Sequence, residues 1–311
     1  MISKKIVMKL LAHWEMENVP VSNVVYEGSN QVSEKEFTVG ADYMLKVSGL
    51  PGGLKRHVEI AEALDKAGLQ ASLPVPTKEG EILLKEADVY GILCRRVKGS
   101  KINGREMFAT KDVNAAYRFG TLIGKLHQAL EKLDDSLCQE NHLYNTVRDW
   151  ALPMAQKKMS IPQEMAAEYR SRFGEIYDKL PKQIIHRNMN LSYVYLNGEE
   201  MVGVTDFELS EYSIRLFDVC YAATGILSEN FADTDENMQK WLELYQSIVT
   251  GYNEVIELTE EEKQALPYVV FSIQLICVAY FADKEQFAEL AKVNEKMLAR
   301  LMEYKEKLIL A

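Results

Sequence analysis

At 311 residues and 47% hydrophobic content, the chain is long enough for two lobes, each with a packed core. Its 36 Lys and Arg stand against 46 Asp and Glu, and a net charge of −10 without a long basic run argues against a nucleic-acid or anionic-membrane partner. The most basic stretch, 95–101, holds four cations, too few for a nucleic-acid arm, and Cys94, Cys138, Cys220 and Cys277 lack the paired spacing of a zinc site or disulfide framework.

The opening MISKKIVMKLLAHWEM reads as an amphipathic helix, because Lys9 interrupts an apolar run already too short for a signal peptide or membrane span. With no other window of membrane-helix length, and thiols suited to a reducing compartment, a cytoplasmic protein without a membrane partner is expected. Residues 21–47 alternate Val, Phe and Tyr against polar residues, the pattern of a strand meander. Apolar residues at helical spacing over 55–67, stopped by Gly68, predict a helix, and EILLKEA and DVYGILCRRV predict two further strands. Residues 1–98 are therefore expected to form a small α+β lobe of about five strands.

Residues 99–311 are expected to form a mainly helical lobe, with helices over 112–133, 146–158, 162–180, 237–252, 259–280 and 284–308. Inside it, 192–196 and 201–206 read as a hairpin around Asn197-Gly198, a pair suited to a tight turn. Thr259 followed by Glu262 predicts a capping box. The glycines of Gly120-Thr121-Leu122-Ile123-Gly124 predict a helix that packs closely on a neighbour.

Three segments carry candidate chemistry. Tyr26-Glu27-Gly28-Ser29-Asn30-Gln31-Val32 joins two strands and is either a plain turn or a place where backbone N–H groups approach a phosphate. Lys46, in Tyr43-Met44-Leu45-Lys46-Val47, sits among apolar residues, where it either snorkels or takes a counter-charge from Glu59 or Glu62 on the next helix. The third is Ile184-Ile185-His186-Arg187-Asn188-Met189-Asn190, followed by the hairpin and Thr205-Asp206-Phe207-Glu208. A loop able to hold an acceptor hydroxyl followed by a carboxylate at a strand end is the way a phosphotransferase site is built.

The order of these pieces resembles the aminoglycoside phosphotransferase and choline kinase superfamily, relatives of the protein kinases, across nearly the whole chain. The resemblance implies a two-lobed α+β kinase-like fold with a small antiparallel N-terminal sheet, using ATP or GTP with Mg²⁺ to phosphorylate a small-molecule hydroxyl. It implies nucleotide contacts from Gly28, Ser29, Asn30, Lys46 and Glu59, with Lys46 and Glu59 as an ion pair, and adenine contacts near Arg95 and Val97. It further implies catalytic positions at His186, Arg187 and Asn188, a metal ligand at Asp206, and support of the loop by Asp218.

Two positions depart from the pattern. The family's catalytic aspartate corresponds to Asn188, whose amide orients a hydroxyl without taking its proton, and its metal-binding asparagine corresponds to Tyr193, a poor Mg²⁺ ligand. Asn190 and Glu208 are the candidate substitutes. Two functions are therefore expected to compete: a weak small-molecule kinase, and an inactive pseudokinase that binds a nucleotide, metabolite or protein. Acidic residues in 112–140 and 233–243 either face a cationic acceptor or are solvated helix faces, and oligomeric state is not legible.

Overall fold

The computed structural model describes residues 2–25, 32–282 and 284–310. The first 101 residues contain α1 (Lys4–Ala12), β1 (Val21–Val25), β2 (Val32–Val39), β3 (Tyr43–Ser48), α2 (Gly52–Lys66), β4 (Leu84–Glu86), β5 (Val89–Arg95) and β6 (Ser100–Lys101). There follow α3 (Gly104–Thr110), α4 (Val113–Leu130), α5 (Leu143–Thr146), α6 (Leu152–Lys158), α7 (Gln163–Glu168), α8 (Gly174–Tyr177) and β7 (Lys182–Ile185). The chain ends with β8 (Val194–Asn197), β9 (Glu200–Val204), β10 (Glu211–Ile214), α9 (Leu216–Asn230), α10 (Asp235–Val255), α11 (Glu260–Phe281) and α12 (Ala288–Glu303). These segments form two compact units, one of Met1–Lys101 with Ser192–Glu208, the other of Ile102–Leu191 with Leu209–Ala311.

The sequence predicted one cut after residue 98, with the 192–206 hairpin in the second lobe. The structure instead places Ser192–Glu208 in the first unit. Backbone pairing is the cause: β6 pairs with β8, and Gln70 exchanges hydrogen bonds with Val202 and Val204. Gly203 makes that approach possible, since a Cβ there would lie 2.6 Å from the Gln70 carbonyl oxygen.

The first unit's main sheet has the antiparallel order β1-β2-β3-β5-β4. Because side chains alternate along a strand, each face of this sheet acquires its own helix. Leu45, Val47 and Leu93 join Val7, Leu10 and Leu11 of α1 in one core, while Ile92 and Cys94 on the other face pack with Leu54 of α2. Lys46 and its register partner Glu36 also belong to the α2 face.

The second unit is mainly helical, with β7 and β10 as an antiparallel pair. Two predicted helices are less regular than their periodicity implied. The 146–158 segment contains a π-helical turn at Val147–Ala151, and the 162–180 segment another at Tyr169–Phe173. Pro153 accounts for the first: it has no N–H, and its ring displaces the carbonyl of Asp149 four residues earlier. The predicted capping box is present, and Glu262 in addition forms a two-pronged pair with Arg215.

No membrane-length window was expected anywhere in the chain, yet α11 is long and apolar enough to cross a bilayer. Its apolar residues are used in packing, with 72% of the window buried inside the protein. None of the four cysteines forms a disulfide with another; Cys94, Cys138 and Cys220 are buried and Cys277 is partly so.

Candidate functional site

In the first unit, a turn at 40–42 returns β3 against β2 and sets Glu36 directly opposite Lys46. The Lys46 ammonium is 2% exposed and paired with the Glu36 carboxylate, which is itself 8% exposed. Its second partner, Glu208 at 2.9 Å, has a side chain 36% exposed. Burial alone would lower the lysine pKa, but the charges of Glu36, Glu208 and Asp206 outweigh it and hold the ammonium above its ordinary range.

The predicted Lys46–Glu59 pair is not formed. Glu59 lies on the exposed face of α2, and the residue this helix buries in that region is His57. His57 Nε2 lies 3.1 Å from the Ser72 carbonyl oxygen, so it carries the proton and donates. Burial, followed by the Lys46 charge, lowers the His57 pKa to about 3, leaving a neutral ring that cannot neutralise the ammonium's counter-ions. The counter-charge thus comes from a neighbouring strand. Hairpin arithmetic carried that signal: pairing Val39 with Tyr43 forces Glu36 opposite Lys46.

Asp206 and Glu208 follow β9 and flank Phe207, whose buried ring lies 6.0 Å from that of His57. Arg56 of α2 donates to the Glu208 carbonyl at 2.7 Å and fixes this segment. Asp206 has φ 75°, a left-handed conformation that costs a non-glycine residue on the order of 1 kcal/mol. Carboxylate oxygens of Glu36, Asp206 and Glu208 lie within 4.8 Å of one another, a hard-oxygen donor set whose chemistry fits a divalent cation such as Mg²⁺. Tyr193 is half-buried near the start of this segment, and its carbonyl accepts from Thr205 N–H at 3.1 Å.

Gly28, Ser29 and Asn30 lie outside the described residues. Arg95 ends β5, and with Arg96, Val97, Asp42, Tyr43 and Gln70 it borders a cavity of about 490 Å³. The N–H groups of Arg95 and Arg96 donate to the carbonyls of Leu73 and Asp42, so side chains and the remaining backbone groups are what this edge presents.

The second unit carries the residues expected to form the catalytic loop. Asp218, fully buried in the first turn of α9, accepts from His186 N–H at 2.7 Å and Arg187 N–H at 2.8 Å. His127 of α4 donates Nε2–H to the same carboxylate across 3.1 Å, while its Nδ1 accepts from the Tyr252 hydroxyl at 3.0 Å. Burial would raise the Asp218 pKa, yet His127, His186 and the backbone donor together hold it below the usual carboxylate range.

A depressed folded-state pKa adds stability above the unfolded value of about 3.9, and that stability is lost as pH falls through the folded value. Asp218→Asn is expected to lower unfolding free energy by about 2 kcal/mol at neutral pH, with the gap from wild type closing below about pH 3.9. Urea titrations of both proteins across pH measure this; a gap independent of pH would contradict an ionised Asp218.

Arg187 has φ 72° and is clamped by its surroundings. Its guanidinium lies 2.8 Å from Glu211 of β10 and 4.2 Å from the centre of the Phe217 ring, and Asn141 donates to Glu211 at 3.0 Å. Asn188 N–H donates to His186 Nδ1 at 3.3 Å, and the Tyr221 hydroxyl donates to Asn188 Oδ1 at 3.1 Å. The amide is thereby oriented by a phenol that burial keeps protonated. Tyr221 and Glu211 were not found from the sequence, since nothing in their local pattern reports what they face.

The first unit thus brings Lys46 and Asp206 together, the second brings His186, Arg187, Asn188 and Asp218 together, and Glu59 joins neither group. Among solved structures, the chain is similar to amicoumacin kinase in complex with AMP-PNP and Ca²⁺, at TM-score 0.67 and 15% identity over 98% of this chain and 93% of that one. It is also similar to the microcompartment-associated aminopropanol kinase, at TM-score 0.62 and 17% identity over 99% and 100%. These likenesses show the two-lobed kinase-like α+β fold.

By sequence, the chain is 24% identical to homoserine kinase of Beijerinckia indica, covering 86% of this chain and 81% of the relative. It is 25% identical to homoserine kinase of Neisseria meningitidis over 68% of this chain, a match spanning 65% of that relative's length. The sequence also matches a family profile, described as phosphotransferase enzyme family (APH), over residues 26–252. Since that match covers more than half of the chain, the chain belongs to the APH phosphotransferase enzyme family.

Proposed function

We propose that this protein transfers phosphate from ATP or GTP to the hydroxyl of a small molecule, with chemistry weakened at Asn188. The observation carrying this reading is the buried Lys46 ammonium beside Asp206. A charged group sealed at such desolvation cost is retained where it serves binding, and an ammonium near a carboxylate trio suits a metal-bound nucleotide phosphate. Asp206 would hold Mg²⁺, with Glu208 as a further oxygen donor. When bound, Mg²⁺ would neutralise charge on the phosphates.

Lys46 attracts nucleotide phosphate, while Asn188, held by Tyr221, orients the acceptor hydroxyl. Neither Asn188 nor the protonated Tyr221 accepts the hydroxyl proton, so catalysis rests on positioning and electrostatics, which dominate phosphoryl transfer. The names of the relatives favour a small hydroxylated amine such as homoserine or aminopropanol as acceptor, in keeping with the net charge of −10. We place the protein in the cytoplasm, where nucleotide is abundant and cysteines outside disulfides stay reduced.

The second reading is a pseudokinase that binds nucleotide without transferring phosphate, and Tyr193 in place of a metal-binding asparagine favours it. Both readings require nucleotide binding. ATP with Mg²⁺ at one hundred times its dissociation constant stabilises the fold by about 2.7 kcal/mol, visible as a thermal shift. Absence of any shift at millimolar nucleotide overturns both. Lys46→Ala is expected to abolish the shift, and unchanged affinity in a folded variant would remove Lys46 from the site.

A further inference from the structure

The two carboxylates on Lys46 differ in kind. Glu36 is its cross-strand partner within the sheet, and both side chains are sealed from water. Glu208 reaches the same ammonium from the segment after β9, and over a third of its side chain is solvent-exposed. Glu36 alone can balance the Lys46 charge. Glu208 adds a second anion to that position, and of the two it is the one that reaches solvent.

We propose that Glu208 is a built-in competitor for phosphate: its carboxylate, the partner of the Lys46 ammonium that reaches solvent, must leave before a nucleotide phosphate can take its place. Glu36 remains as the fixed counter-ion throughout. This rests on the reading that Lys46 binds nucleotide, and it deepens that reading.

The geometry allows such an exchange. Arg56 holds Glu208 through its backbone carbonyl rather than its carboxylate, so the side chain can swing away while the main chain stays fixed. Asp206, two residues earlier, presents its carboxylate in the same group. A divalent cation bound there with the nucleotide offers the released Glu208 carboxylate a new partner, so metal and nucleotide binding become coupled. Without metal, the bound fraction is limited by how often Glu208 is away. If the pair is closed in nine of ten molecules, apparent affinity falls about tenfold.

The test measures dissociation constants for ATP and for inorganic tripolyphosphate in EDTA, by calorimetry, on wild type, Glu208→Gln and Glu200→Gln. The last variant removes one exposed charge from β9 in the same unit. Glu208→Gln is expected to bind both probes about tenfold more tightly than wild type, with Glu200→Gln close to wild type. Equal affinity of wild type and Glu208→Gln overturns the competitor and leaves the nucleotide reading intact. An equal gain in Glu200→Gln also overturns it, because general electrostatics would then suffice. If tripolyphosphate binding improves in Glu208→Gln while no protein binds ATP with or without Mg²⁺, the competitor stands and the nucleotide reading falls. Failure of every protein to bind either probe overturns both.

Discussion

Asn188→Asp combined with Tyr193→Asn is expected to raise phosphoryl transfer from ATP by about 10²–10⁴-fold, the usual worth of a positioned general base. The surroundings of Asn188 already suit a carboxylate: the His186–Asn188 turn hangs from Asp218, and the Tyr221 hydroxyl donates to Oδ1. Aspartate is isosteric with asparagine and would keep that acceptor while adding the capacity to take a proton. At position 193 the main chain forms the bond to Thr205, so a change of side chain leaves it in place. Asparagine there exchanges a phenol for an amide oxygen, a better ligand for a hard cation.

Single-turnover ATP hydrolysis measures the effect without knowledge of the acceptor, because water substitutes for it. A gain confined to the double variant marks an eroded kinase with an otherwise competent site. Rapid turnover by wild type, or no gain in a folded double variant that still binds ATP, would mean that Asn188 and Tyr193 are not what limits the chemistry.

Much of this site was legible because its parts are local patterns. His186-Arg187-Asn188, Asp206-Phe207 and Asp218 are recognised by order and spacing, and the turn at Asn197-Gly198 announces the hairpin between them. The counter-ion of Lys46 was not found in that way. It was sought on α2, where the kinase resemblance pointed, and it sits across a strand pair that simple register places opposite Lys46. Here the strand lysine takes its buried counter-ion from its own sheet face, directly across the register.

The assignment of 192–208 to the second unit failed for a related reason, since its backbone pairs with β6 and with the turn after α2. Long-range backbone pairing leaves no mark on composition. The π-helical turns likewise were not read from the sequence, whose spacing was taken as unbroken α-helix. Tyr221 and Glu211 gain their meaning only from the loop they touch.

The glycines of α4 were legible in the sequence, and they yield the largest expected effect on stability. Gly120 and Gly124 of α4 meet α10, and Gly251 of α10 meets α4. A methyl group on Gly120 would fall on the Ile248 carbonyl, one on Gly251 on the Tyr117 carbonyl, and one on Gly124 would lie 2.6 Å from Val255 Cβ. At the first two places the obstacle is main chain within a helix, which no rotamer change can move. Alanine would ordinarily favour a helix over glycine by about 1 kcal/mol. Here the helices must separate instead, and His127, two turns along α4, must stay in reach of both Tyr252 and Asp218.

Gly120→Ala is therefore expected to destabilise the protein by about 3 kcal/mol, the upper end of what overpacking usually costs, because the obstacle is main chain. Lys125→Ala, on an exposed position of the same helix, is the control expected to change stability by less than about 0.5 kcal/mol. Denaturant titrations compare the two. A Gly120→Ala protein as stable as wild type would mean that the helices do not lie in carbonyl contact. A destabilised but folded Gly120→Ala protein is further expected to show a weakened acid response, because displacement of His127 loosens the contact that keeps Asp218 ionised.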